Sequence, residues 1–245
     1  MSTTTTTNIV FQQLPWDSSF LGFPVARLDV SIGSAAGLEV ALAKAWETDF
    51  KLFYIVIDPA DSVAAEVAQS AGARLADRKV TFCTSLLPEP ITRLGSAITT
   101  ATEYNPQLES LAWQSGEYSR FRLDPRFATQ VFKDLYSQWL HNSLTGEIAR
   151  RVLVFRDAAG AERGLLTLGE KNNRADIGLL AVDEVLRGQG VAQSLVAAAI
   201  EQAREWGYNE LQVATQYDNK AACRFYEKCG FRLLQEQHIY HLWQY

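Results

Sequence analysis

Ile177-Gly178-Leu179-Leu180-Ala181-Val182, then Arg187-Gly188-Gln189-Gly190-Val191-Ala192, then a helical pattern from Leu195 to Trp206, form the stretch on which the fold turns. An apolar strand enters a glycine-rich turn and leaves it as an amphipathic helix. The first N–H groups of such a helix have no intrahelical acceptor and are open to an anion. Two nucleotide-binding patterns fail on spacing. A dinucleotide loop needs Gly-x-Gly-x-x-Gly almost directly after the strand and an acidic residue closing the next strand. Here Asp183-Glu184-Val185-Leu186 intervenes, Gln193 stands where the third glycine would fall, and Glu210 precedes its following strand. A Walker loop fails because no Gly-Lys-Ser/Thr follows the glycines. A phosphate cradle of another kind remains, beside the plainer reading of an ordinary α/β connection.

Downstream, Glu210 to Gln216 reads as a strand, and Asn219 opens a helix that ends at Cys229-Gly230. Asn219 and Tyr226 are seven residues apart, about two helical turns, so they share a face. Phe231 to Gln235 and Ile239 to Trp243 read as two closing strands. The loop Arg187 to Ala192 resembles the acetyl-CoA pyrophosphate loop of the GNAT superfamily of N-acetyltransferases. The order of elements from roughly Val152 to Tyr245 extends that likeness.

The resemblance implies an α/β protein: a GNAT fold with a central mixed, mostly antiparallel sheet, using acetyl-CoA as co-substrate and no metal. It also implies roles for particular residues. The main chain at Leu180, Ala181 and Val182 would align pantetheine, and the loop Arg187, Gly188, Gln189, Gly190, Val191 and Ala192 would hold the pyrophosphate. Asn219 would contact the pantetheine region, and Tyr226 would protonate the departing thiolate. Ala192 departs mildly from the glycine most such loops carry. A tyrosine of pKa about 10 facing a thiol of about 8.5 makes full transfer uphill by roughly 2 kcal/mol, which favours a shared hydrogen bond.

Composition describes a protein with a core and no obvious leader. The chain has 245 residues, 47% of them hydrophobic, and a net charge of −5. No apolar run reaches the ~18 residues that span a bilayer, and Thr3 to Thr7 read as a frayed tail rather than a secretory signal. The acidic balance argues against nucleic acid as a partner. Cys83, Cys223, Cys229 and the sparse histidines His141, His238 and His241 lack metal spacing. A cytoplasmic enzyme without membrane insertion is expected, with a homodimer left open.

A shift of 158 positions lays Phe53 on Leu211, Ile55 on Val213, Asp61 on Asn219, Gly72 on Gly230, Arg74 on Arg232 and Leu75 on Leu233. Both copies read as strand, capped helix, glycine stop, strand, with little identity, so two unrelated α/β units would give a similar pattern. The first copy has Ala68 where the second has Tyr226, and no such phosphate loop occurs before position 100. Residues 1–90 are therefore expected to form a degenerate GNAT-like half and 91–245 the catalytic domain. Pro88-Glu89-Pro90 would link them.

Between the halves, Ser119-Arg120-Phe121-Arg122-Leu123-Asp124-Pro125 leads into a helix from about Phe127 to Asn142. Read as an extended segment, it would point Arg120 and Arg122 the same way, toward a phosphate or carboxylate of the acceptor. Pairing with Asp124 or Asp134 at the surface is the equal alternative. This segment, Tyr136-Ser137-Gln138-Trp139, Ile177 to Ala181, Val213 to Gln216, and Asn219 with Ala221, Ala222 and Tyr226 are similar to the dTDP-fucosamine acetyltransferases. Leu14 to Gly22 is similar too. That likeness implies a nucleotide-sugar acceptor, acetylated on the 4-amino group of a dTDP-4-amino-4,6-dideoxy sugar for cell-surface polysaccharide. Another amine, such as an aminoglycoside or a protein N-terminus, and a non-catalytic acetyl-CoA-binding regulatory module are the alternatives. Glu170 and Asp176 are candidates for a general base but read better as solvated hairpin charges. Cys223 reads as packing, since no histidine is placed to activate it.

Overall fold

The computed structural model describes residues 9–86 and 98–244. Thr3 to Thr7 and the Pro88-Glu89-Pro90 linker lie outside the described residues. In chain order the first elements are β1 (Ile9–Gln13), α1 (Pro15–Leu21), β2 (Val25–Val30), α2 (Ala35–Ala45), β3 (Leu52–Ile57), α3 (Ser62–Ser70) and β4 (Arg74–Ser85). Then come β5 (Ile98–Thr100), α4 (Pro106–Ser115), α5 (Arg120–Leu123), α6 (Thr129–Leu144), β6 (Arg151–Arg156), β7 (Glu162–Lys171) and β8 (Arg174–Val182). A 3-10 turn (Glu184–Leu186), α7 (Val191–Glu205), β9 (Glu210–Gln216), α8 (Lys220–Lys228) and β10 (Arg232–Trp243) complete the chain.

Two compact units divide these elements, one made of residues 1–80 with 235–245 and the other of residues 81–234. In the first, β1 runs antiparallel to β2, β2 parallel to β3, and β3 antiparallel to the end of β10. All six residues of β3 are buried, as an unbroken Leu-Phe-Tyr-Ile-Val-Ile run requires when both faces of the strand are covered. Leu38 and Leu42 of α2 and Ala64 and Ala68 of α3 complete that core.

In the second unit β5, β6, β7 and β8 form an antiparallel run, and β8 pairs parallel with β9. Each unit thus combines a parallel pair, β2–β3 or β8–β9, with antiparallel ones, the mixed α/β character expected. The β7–β8 hairpin turns on Asn172 and Asn173, at φ 55° and 59°. Two left-handed residues in a two-residue turn match the right-handed twist of the strands, and asparagine tolerates that conformation better than most side chains. Asn105 caps α4 by accepting from Leu108 N at 2.9 Å, with Pro106 next in the chain. Both are favoured choices at a helix start.

Three expectations are corrected. Arg120 and Arg122 are not on an extended segment: Ser119 Oγ accepts from Phe121 N at 3.3 Å and opens the short α5. Positions two apart on a helix point about 200° apart, so the alternation argument fails. The closing segment is one strand, β10, rather than two, because Glu236-Gln237-His238 contains no glycine, proline, asparagine or aspartate to turn the chain. Finally, α7 begins at Val191, so the helix starts immediately after Gly190.

Candidate active site

The site begins where two parallel strands part. β8 and β9 are in register at Ala175↔Leu211, Asp176↔Gln212 and Ile177↔Val213, yet β8 runs on to Val182 and β9 to Gln216. Beyond Ile177, β8 therefore has main-chain groups toward β9 with no strand among the described residues to pair them, and unpaired backbone seeks another partner. A bulge accompanies the parting. Leu166 pairs with Leu180 and Leu168 with Ile177, so β8 holds one residue more than β7 there, and an extra residue bends its strand. Thr167, buried at the bulge, accepts a hydrogen bond from Leu179 N through Oγ1 at 2.8 Å. A Cβ on Gly178 would lie 2.8 Å from that oxygen, so glycine is needed.

The open stretch of β8 leads straight into the glycine turn. Asp183 Oδ1 accepts from Val185 N at 3.1 Å and its Oδ2 from Arg163 Nη1 at 2.8 Å. The backbone N–H first and Arg163 second hold its carboxyl below the usual range. Arg163 also bonds Asp157 Oδ2 at 3.0 Å, so the entry to the turn is braced. Gly188 and Gly190 adopt φ 79° and 83°, where a Cβ is unfavourable. Gly190 is the N-cap of α7 and supplies no side-chain cap. The leading amides of α7 thus keep no capping oxygen among the described residues, and the helix dipole adds positive potential there. Arg187 folds back, donating from Nε to Val182 O at 3.1 Å and from Nη2 to Gln114 Oε1 at 3.0 Å.

Val182, Arg187, Gly188, Gly190, Val191 and Ala192 line one cleft of about 410 Å³, across from Ala221, Arg224, Phe225 and Lys228. Gln189, Leu180, Ala181, Asn219, Tyr226, Arg120 and Arg122 do not line it. Arg224 and Lys228 were missed by the sequence reading. Their signal was present: Lys220, Arg224 and Lys228 recur every fourth residue and so share one face of a helix. With Arg187 they give the cleft three cationic side chains.

Asn219 caps α8, its Oδ1 accepting from Ala222 N at 3.1 Å. Tyr226, later in the same helix, is 5% exposed and has its ring among Phe82, Phe225 and Phe231, at 6.1, 5.3 and 5.7 Å between centroids. Burial foremost, then Cys229 and Cys223, push its phenol well above the ordinary value. Burial likewise raises the Cys223 thiol, whose Sγ lies 3.5 Å from Gln216 O. A thiol held protonated is a poor nucleophile, in line with a packing role.

Of the two candidate bases, Glu170 accepts the Tyr208 hydroxyl, and Asp176 Oδ1 accepts from Gln212 Nε2 at 2.9 Å. Both are engaged in the strand framework, as solvated hairpin charges would be. Arg120 lies over the Phe121 ring at 4.8 Å and Arg122 over Phe132 at 5.7 Å, with Glu117 3.5 Å from Arg122. Asp134 accepts from Gln130 Nε2 at 2.7 Å. Among the described residues no group of three or more His, Cys, Asp or Glu is placed to hold a metal, and no helix is long and apolar enough to cross a membrane.

A parted parallel pair followed by an uncapped glycine turn leaves main-chain groups for an extended ligand that carries an anion. The chain belongs to the acetyltransferase (GNAT) family, whose model matches residues 106–231, just over half of it. It is similar to the dTDP-fucosamine acetyltransferase of Escherichia coli O6:H1 (strain CFT073), 29% identical over 220 residues, which span 89% of this chain and 92% of that one. It is also similar to the spore coat polysaccharide biosynthesis protein SpsD of Bacillus subtilis (strain 168). That likeness is 29% identity over 133 residues, 54% of this chain and 45% of SpsD. Among solved structures, a GCN5-related N-acetyltransferase from Sphaerobacter thermophilus shares the fold with a TM-score of 0.61 at 16% identity. It covers 95% of this chain and 76% of that one. The protein is therefore an acyltransferase enzyme.

Proposed function

We propose that this protein transfers the acetyl group of acetyl-CoA to the 4-amino group of a dTDP-4-amino-4,6-dideoxy sugar, in the cytoplasm, for cell-surface polysaccharide synthesis. The observation that carries the donor is the edge of β8 toward β9 from Gly178 to Val182, where the β8–β9 pairing has ended, followed in the chain by the uncapped amides of α7. Leu180, Ala181 and Val182 offer main-chain hydrogen bonds to the pantetheine amides, and the turn from Arg187 to Ala192 takes the pyrophosphate. Arg187, Arg224 and Lys228 add charge in the same cleft. The acceptor rests on the likeness to the dTDP-fucosamine enzyme, which extends over most of both chains.

The chemistry is direct. The neutral amine attacks the thioester carbonyl carbon, a C–N bond forms, the C–S bond breaks, and the ammonium proton leaves to water or a base. A strand amide of β8 polarises the carbonyl as charge gathers on its oxygen. Holding both reactants together removes much of the entropic barrier, so a covalent enzyme intermediate is unnecessary. Tyr226 donates a hydrogen bond to the departing thiolate. Its raised pKa makes full proton transfer costlier than for an ordinary tyrosine, so a shared hydrogen bond is its role.

We assign residues 91–245 as the catalytic domain and 1–90 as a degenerate half without a coenzyme site. The pairing of β2 with β3 supports this, since it continues from Val25↔Leu52 to Asp29↔Val56 and leaves no comparable parting. The test is thiol release from acetyl-CoA with the dTDP sugar, its UDP counterpart and unrelated amines. Fast release with the dTDP sugar alone is expected. Preference for another amine would overturn the acceptor, and acetyl-CoA binding without release would leave a regulatory module.

A further inference from the structure

Trp139 is unused by the coenzyme site, yet its indole reaches the bulge. A Cβ on Gly178 would lie 3.4 Å from Trp139 Nε1 and 3.7 Å from its Cζ2. The two faces of the open strand are distinguishable. A Cβ on Gly164 would meet Leu195 and Val191 of α7 at 3.0 and 3.1 Å. Gly164 pairs with Val182, which lines the coenzyme cleft, so α7 and the turn occupy one face. Thr167 follows Leu166 and so points to the other face, and there the Gly178 position meets Trp139.

The indole is fixed but its N–H is not spent. Trp139 stacks on Tyr136 at 5.8 Å and 29°, and Tyr136 lies so close over Gly116 that a Cβ there would collide with its ring. Trp113, one helix away, donates from Nε1 to Ser137 Oγ at 3.1 Å. Trp139 Nε1 has no such partner among the described residues. Phe132, Tyr136 and Trp139 continue as one row, with 5.0 Å between the first two rings, and Arg122 lies over the Phe132 end.

We propose that Trp139 determines acceptor specificity: its indole N–H, held against the bulge of β8 on the face opposite α7, donates to the C3 hydroxyl oxygen beside the reacting amine. The proposal rests on the amino-sugar reading above. It is tested with Trp139→Phe, which keeps an aromatic ring and removes the donor, assayed on dTDP-4-amino-4,6-dideoxygalactose and its 3-deoxy analogue. A neutral hydrogen bond is expected to be worth about 10-fold in kcat/KM. Wild type should lose that much on the deoxy sugar. Trp139→Phe should lose it on the parent sugar and little more on the deoxy sugar, with acetyl-CoA affinity unchanged. In wild type, the indole proton absent from Trp139→Phe spectra should move downfield when parent sugar and CoA are added. Independent, multiplying losses, an unmoved indole proton, or a variant as active as wild type would overturn the role of Trp139 while leaving the acceptor intact. No wild-type turnover with the parent sugar would overturn both.

Discussion

Tyr226 shows how far a residue can be read from a string of letters. Its seven-residue spacing from Asn219 was legible, because helical geometry alone puts the two on one face. Its electrostatics were not, because Phe82, which packs against the ring, lies on β4, far away in sequence. Replacing Tyr226 by Phe should lower kcat by about 100-fold, the lower range for acid–base groups, while calorimetry finds acetyl-CoA affinity within a factor of two. An unchanged kcat would remove its assigned role. Because burial raises its pKa, the neutral phenol persists further into alkali than an ordinary tyrosine would. The kcat/KM profile should therefore rise as the acceptor amine loses its proton and then stay flat to pH 10. A falling limb below pH 10 that disappears in Tyr226→Phe would contradict this.

At the scale of elements, the glycine turn was readable and the bulge was not. Gly188 and Gly190 sit at positive φ, a demand that selects glycine and so leaves a mark. Gly178 serves the bulge and the Trp139 approach, needs that depend on Thr167 and Trp139 far away in sequence. The alternating Ser-Arg-Phe-Arg pattern mimicked a strand, but the Ser119 cap and the helix it opens prevailed. Gly190→Ala should cost about 1–2 kcal/mol in urea unfolding through left-handed strain and weaken acetyl-CoA binding as well. Replacing Arg224 and Lys228 together by Gln should raise the acetyl-CoA Kd and flatten its dependence on salt, since exposed charges are screened. Titrations at low and high salt check this, and identical slopes in variant and wild type would remove both residues from the cleft.

For the molecule as a whole, the 158-residue shift marks related local devices. Asp61 Oδ1 accepts from Ala64 N at 3.0 Å, as Asn219 does from Ala222 N, and Gly72 and Gly230 follow their helices at φ 92° and 84°. Each unit also holds a parallel strand pair, β2–β3 in the first and β8–β9 in the second. What separates them physically is that β2 and β3 stay paired while β8 and β9 part. Calorimetry should find one acetyl-CoA per chain, and two would contradict a first half without a coenzyme site. The most direct test of the account is to characterise the product formed from carbonyl-labelled acetyl-CoA and dTDP-4-amino-4,6-dideoxygalactose. It should be a sugar nucleotide carrying one labelled acetyl group as an amide at C4, with free CoA in equal amount. Label retained on the protein, label on a hydroxyl, or no labelled sugar would contradict direct transfer to the 4-amino group.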